Sequence, residues 1–207
     1  AMLAAIRAFF AARGVLEVET PALSSAGVTD PAVESIAANA RSLGAPQYLQ
    51  TSPEFAMKRL LADGSGDIYQ LCRVFRDDEL GRWHQPEFTL LEWYRVGWDE
   101  QRLMTEVAEL IAIALAAGAP GTASTARRIV RLTYGQALSA VLGAPPDTPT
   151  AELVRLLARQ GIDVPAGLSH DAVLDLAFGT VVLASFDASA VTLLCDYPAS
   201  QAALARV

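Results

Sequence analysis

Between Val74 and Arg95 the chain reads VFRDDELGRWHQPEFTLLEWYR, and the groups best able to do chemistry gather there. Ile68 to Phe75 is largely apolar or aromatic and reads as a strand that delivers Arg76 to the start of a charged loop. The stretch Glu87 to Val96 alternates and reads as the returning strand. Side chains along a strand point to opposite faces in turn, so Phe88, Leu90, Glu92 and Tyr94 share one face while Thr89, Leu91, Trp93 and Arg95 share the other. One surface thus carries a ring, a carboxylate and a phenol. A carboxylate buried without a partner protonates or destabilises the fold, so Glu92 requires a cation. That cation is either Arg73, Arg76 or Arg95 in a structural ion pair, or part of a ligand. Lys58, Arg59, Arg73, Arg76, Arg82 and Arg95 cluster in the same region, as phosphate chemistry requires, although a solvated face accounts equally for Lys58 and Arg59.

A second group precedes this one. Thr51-Ser52-Pro53-Glu54 leads into Met57-Lys58-Arg59-Leu60-Leu61. Ser52 suits an N-cap and Pro53 the first turn of a helix, where its missing N–H does no harm. Glu54 would be a favourable anion in that turn, or a group that binds a substrate amine. Upstream, Leu3, Ile6, Phe9 and Phe10 recur at helical spacing, Gly14 follows as a stop, and Val15 to Pro21 reads as a short strand.

The elements that follow must support these residues. Asp99 to Ala117 reads as a helix with Leu103, Val107, Leu110, Ile111 and Leu115 on one stripe, and Gly118 to Ser124 as a linker. Beyond it the pattern predicts strands at Ile129 to Leu132 and Val191 to Asp196, enclosing helices at Tyr134 to Leu142, Thr150 to Gln160 and His170 to Phe178. His170, after Ser169 at a helix start, reads as structural, and His84 as a loop residue that a phosphate or its neighbours could satisfy.

Composition narrows the classes. With 52% hydrophobic and 19% charged residues the chain can bury one sizeable core, with room for a small subdomain. No signal peptide or membrane span is visible, since the apolar tract Leu110 to Ala117 falls well short of the roughly 20 residues a span needs. Cys72 and Cys195 lack metal-ligand spacing and read as small buried residues in a reducing cytoplasm. Gly64-Ser65-Gly66 lacks the continuation of a phosphate-binding loop. A net charge of −7 argues against a surface dominated by nucleic-acid contacts, tRNA included.

Taken together, these blocks resemble the class II aminoacyl-tRNA synthetases. Arg76 and Phe88 occupy the places in motif 2 that hold the α-phosphate of ATP and stack on adenine. The run His84-Gln85-Pro86-Glu87-Phe88-Thr89-Leu90-Leu91-Glu92-Trp93-Tyr94 is similar to the lysine-specific branch, and the Ser52-Pro53-Glu54 segment to the one whose Glu receives the substrate α-amine. The helix and strand ending at Pro21 resemble motif 1, which forms a dimer interface. Within that branch the MKRLL, YQLCRVFR, GRWH, EWYR and Pro198-Ala199-Ser200-Gln201-Ala202 segments resemble the truncated paralogues that attach lysine, preferentially (R)-β-lysine, to a lysine of elongation factor P.

The resemblance implies an α+β fold, an antiparallel sheet flanked by helices, over residues 1–207 as one catalytic domain without an anticodon-binding domain. It implies ATP and Mg²⁺, a cytoplasmic homodimer, and elongation factor P as partner. Arg76 would be the catalytic contact. Asp77, Asp78, Gln85 and Phe88 would join it on ATP, and Ser52, Pro53, Glu54, Glu92 and Tyr94 would bind the amino acid, with no metal ligand in the chain. Three departures stand out: Asp78 replaces the usual Glu, Gln85 replaces Asn, and motif 3 is expected beyond Val207. A lysyl-tRNA synthetase catalytic fragment and a non-catalytic synthetase-like binding module are the alternatives.

Overall fold

The computed structural model describes residues 1–30, 33–39, 41–78, 80–82, 84–118 and 127–202. The chain divides into two compact units, Ala1–Thr122 and Ala123–Val207. Apart from Gly118, the predicted linker at 118–124 lies outside the described residues, as do Glu79 and Trp83.

In the first unit, helix α1 (Met2–Ala11) buries Ile6, Phe9 and Phe10 of the predicted stripe, while Leu3, in the first turn, is exposed. Gly14, at φ 68°, turns the chain into strand β1, which keeps only Leu16–Glu17 of the predicted Val15 to Pro21. Three short strands follow, β2 (Leu23–Ser24), β3 (Ala37–Ala38) and β4 (Gln47–Leu49), pairing antiparallel in the order β2-β4-β3. Strands of two or three residues carry no readable periodicity, and the sequence does not announce them. Helix α2 (Glu54–Ala62), strands β5 (Ile68–Phe75) and β6 (Glu87–Tyr94), and helix α3 (Glu100–Gly118) complete the unit.

The sheet order is β1-β5-β6. The antiparallel expectation holds for β5 and β6, whereas β1 runs parallel to β5. On one face Phe10 stacks on Tyr69 with ring centroids 4.4 Å apart and tilts against Trp93 at 5.7 Å. Behind Trp93 lies a buried charge network. Trp93 Nε1 donates to Glu106 Oε2 at 3.1 Å, and Arg95 Nη2 lies 3.3 Å from Glu106 Oε1. Arg95 Nη1 is 3.1 Å from Asp67 Oδ2, and Arg13 Nε approaches Glu106 Oε1 at 3.8 Å. The side chains of Glu106 and Arg95 are only 3% and 7% exposed, so neither charge has water to fall back on. They meet at ion-pair distance without hydrogen-bond alignment at Glu106 Oε1.

The second unit brackets three α-helices, the last continued by short π and 3-10 turns, between two parallel strands, β7 (Ile129–Thr133) and β8 (Val191–Cys195). Parallel neighbours need a long crossover, which α4 (Tyr134–Leu142), α5 (Thr150–Arg159) and α6 (His170–Ala177) provide. Thr133 opens α4 through a capping box with Gln136, and Gly143 closes it at φ 69°. Ser169 caps α6, and His170 is held by Thr150 Oγ1 at 3.0 Å and the Pro146 carbonyl at 2.8 Å, the structural role read from sequence. Tyr134 stacks on Phe178 at 4.1 Å in a core with Leu138, Leu153, Leu157 and Leu174. Cys72 and Cys195 are half-buried rather than fully buried. Among the described residues no helix is long and apolar enough to cross a membrane.

Removing one member of a buried ion network strands the others, whereas an exposed pair contributes little. Glu106→Ala is therefore expected to lose about 3–5 kcal/mol of stability. Glu109→Ala, which breaks the exposed contact to Arg13 Nη2 at 2.8 Å, should stay within about 1 kcal/mol. Urea unfolding followed by tryptophan fluorescence checks this, since Trp93 and Trp98 lie in the first unit and the sequence has no tryptophan beyond Trp98. Equal losses in the two variants would contradict the account.

Candidate functional site

The pairing of β5 with β6 runs without a bulge from Ile68 opposite Tyr94 to Phe75 opposite Glu87. Directly opposed residues share a face, so Gln70, Cys72 and Val74 stand beside Glu92, Leu90 and Phe88. The segment entering α2 reaches the same face. Ser52 Oγ donates to Glu92 Oε2 at 2.6 Å, and Tyr94 Oη donates to Glu92 Oε1 at 2.6 Å. Each carboxylate oxygen therefore holds one hydroxyl proton. Arg73 and Arg95 do not supply the cation expected for Glu92. They lie on the odd-numbered face, Arg73 3.6 Å from Glu87 and Arg95 among Asp67 and Glu106.

Helix α2 begins at Glu54, so Pro53 precedes the helix instead of occupying its first turn. Ser52 still does an N-cap's work from one position earlier, because its Oγ accepts the Glu54 N–H at 3.0 Å. The same hydroxyl thus bridges the start of α2 and the Glu92 carboxylate. Glu54 Oε1 pairs with Lys58 Nζ at 2.7 Å, one helical turn on, which accounts for Lys58 without a phosphate. Arg59 is exposed.

Arg76 sits where β5 ends. Its backbone N–H donates to the Pro86 carbonyl at 2.9 Å, closing the base of the charged loop, and its Nε donates to the Thr51 carbonyl at 3.3 Å. The guanidinium carbon lies 5.1 Å from the centre of the Phe88 ring, so the expected phosphate and adenine contacts are neighbours. Asp77 N–H donates to the Glu34 carbonyl at 3.0 Å, and Asp78, at φ 55°, donates its N–H to Asp77 Oδ1 at 3.0 Å. Their side chains and that of Gln85 face solvent, as do Arg82 and His84. Gly81 and His84 exchange backbone hydrogen bonds at the tip of the loop.

The structure therefore brings Ser52, Glu92 and Tyr94 into contact and places Arg76 beside Phe88. Of the six clustered basic residues, Arg76 lies against Phe88 and Lys58 against Glu54. Gln70, buried on this face, was not among the expected residues. The signal was available as a polar residue in the apolar run IYQLCRVF, in phase with Glu92 across the hairpin. Burial pushes the Tyr94 phenol well above the usual tyrosine range, reinforced by its bond to Glu92 and by the charges of Glu92 and Glu54. Glu54 thus belongs to the same electrostatic neighbourhood.

The family model of tRNA synthetases class II (D, K and N) matches residues 1–207. The chain belongs to this synthetase family. A Pseudoalteromonas translucida protein named elongation factor P–(R)-β-lysine ligase is 46% identical over 215 residues, covering 100% of this chain and 63% of its own length. Proteins of the same name from Vibrio vulnificus and Vibrio cholerae are 46% and 42% identical over 213 residues, again covering 100% of this chain and 63% of theirs. The chain spans about 63% of the length of these curated relatives.

Tyr94 keeps its proton in the folded protein at a pH where the unfolded chain releases it, because its folded pKa is raised. Its contribution to stability is complete below the ordinary tyrosine value of about 10 and declines as pH rises above it. Stability should accordingly fall less steeply above about pH 10 in Tyr94→Phe than in wild type. Ultraviolet titration should show the same number of phenols ionising near that pH in both proteins. One fewer in the variant would contradict the Tyr94–Glu92 bond.

Proposed function

We propose that the protein activates a lysine-type amino acid with ATP and passes it to a lysine side chain of elongation factor P. The observation that carries this reading is a Glu92 carboxylate clasped by Ser52 and Tyr94 on the face that also bears Phe88. Relatives named for ligating (R)-β-lysine to elongation factor P support it. In this reading the domain is a class II antiparallel sheet with flanking helices, working in the cytoplasm as a homodimer through α1 and the strand that follows it.

Arg76 would bind the α-phosphate of ATP, and Phe88 would stack on adenine, with Asp77, Asp78 and Gln85 on the ATP side. Glu54, freed from Lys58, would receive one substrate amine. Glu92, Tyr94 and Ser52 would form the wall that receives the side chain, with Pro53 setting the entry to α2. The substrate carboxylate then attacks the α-phosphorus, the bond to pyrophosphate breaks, and an acyl-adenylate results. The acceptor amine attacks the adenylate carbonyl, loses a proton, and releases AMP. Positioning and charge stabilisation account for the rate in such a site.

Among the described residues no three metal-ligating side chains converge. Mg²⁺ is commonly held by substrate phosphates, waters and one or two carboxylates, and Asp77 and Asp78 would offer two on the ATP side. When bound it neutralises phosphate charge.

The test uses the full-length protein carrying this chain. Labelled lysine and (R)-β-lysine are offered with ATP to purified elongation factor P and, separately, to total tRNA, and mass spectrometry locates any new amide. The expected result is label on an elongation factor P lysine and little on tRNA, with Arg76→Ala slowing adenylate formation about a hundredfold. Base-labile tRNA charging without labelled protein would make the protein a lysyl-tRNA synthetase. No adenylate at all would make it a non-catalytic binding module.

A further inference from the structure

Gln70 is the one buried polar residue of β5, only 3% exposed, and its Oε1 has no hydrogen-bond partner. An acceptor buried without a donor is costly, and such atoms in native proteins call for a reason. Its position supplies one. Gln70 is paired directly with Glu92 across β5 and β6, so the two side chains rise from adjacent points on the same face. The Cys72 thiol reports the same neighbourhood: burial pushes it up, the Glu92 charge adds to that, and the Gln70 and Gln50 amides oppose it.

The missing partner must be a donor. A phosphate or carboxylate has none to offer, and the negative charge of Glu92 repels both. A primary ammonium has three N–H donors and no acceptor. Glu92 retains free lone pairs after taking the hydroxyl protons of Ser52 and Tyr94, since an ionised carboxylate has about four acceptor sites. A neutral amide oxygen adds an acceptor without placing a second negative charge beside the first.

We propose that Gln70 is a further amino-acid-binding residue, whose Oε1 accepts a hydrogen bond from the primary ammonium that Glu92 attracts. The inference rests on the amine-binding reading of this pocket. It adds a specificity element: of a substrate's two amines, one is read jointly by a charge and by an acceptor on the neighbouring strand.

Calorimetric binding to the full-length protein tests it, with lysine, 6-aminohexanoate (no α-amine), norleucine (no side-chain amine) and ATP as separate probes. Gln70→Met keeps the length of the side chain and removes the acceptor. It should weaken lysine about tenfold or more, as expected for a hydrogen bond to a charged group, and leave ATP unchanged. The loss should vanish for whichever one-amine analogue lacks the amine that Gln70 holds. Gln70→Glu, which keeps an acceptor in place, should bind lysine within about threefold of wild type or tighter. It decides the matter if the Met variant fails to fold, and a tenfold loss there would overturn the proposal. Unchanged lysine binding in Gln70→Met, or equal losses for both analogues and ATP, would also overturn it while leaving the pocket reading intact. A wild-type protein that binds neither lysine, nor either analogue, nor ATP above the buffer control would overturn both.

Discussion

Eight consecutive cross-strand pairs between β5 and β6 are the constraint on which the first unit depends. Strand side chains alternate strictly, so this single register decides which residues meet on each side, and a slip by one position would exchange the two sets. On one side it gathers Gln70, Cys72, Phe88, Glu92 and Tyr94. On the other it sends Trp93 and Arg95 toward Glu106, and Tyr69 onto Phe10. The candidate site and the core beneath it are thus two consequences of one alignment.

Two carboxylates lie against the hairpin, Glu106 buried and Glu92 half-buried, and they are satisfied differently. Glu106, on α3, is flanked by Arg95 and Arg13 and takes the Trp93 N–H, so its charge is consumed by the fold. Glu92 is held by two neutral hydroxyls at 2.6 Å. Hydrogen bonds from hydroxyls orient a carboxylate without neutralising it, which is what the proposed amine-binding reading requires of Glu92. Ser52 does this while also accepting the first N–H of α2, and so ties the Glu92 carboxylate to the position of Glu54.

Much of this was legible in the sequence because it rests on local periodicity. The two strands, their alternation, the helices α1 and α3 to α6, the Ser169 cap and the structural role of His170 all follow from spacing and capping chemistry. What failed to read was set by partners distant in the chain. The direction in which β1 pairs with β5 leaves no trace in a two-residue strand. The basic residues between Lys58 and Arg95 look like one cluster in sequence, yet Lys58 answers Glu54, and Arg73 and Arg95 face away from Arg76. Gln70 was overlooked since a lone amide in an apolar strand acquires meaning only when its cross-strand neighbour is known. Motif resemblance named the candidate site residues. The contacts of Ser52, Glu92 and Tyr94 gave them a physical arrangement.

The central claim is that Glu92 carries an uncompensated negative charge whose purpose is to select an amine. Glu92→Gln keeps the shape of the side chain and an acceptor oxygen for one of the Ser52 and Tyr94 hydroxyls, the other having to turn and accept from the new amide NH₂, and it removes the charge. The most direct measurement is calorimetric affinity of the full-length variant for lysine and for ATP. The account predicts that lysine binding weakens at least about tenfold while ATP binding holds. Lysine affinity equal to wild type, in a folded variant that still binds ATP, would contradict it.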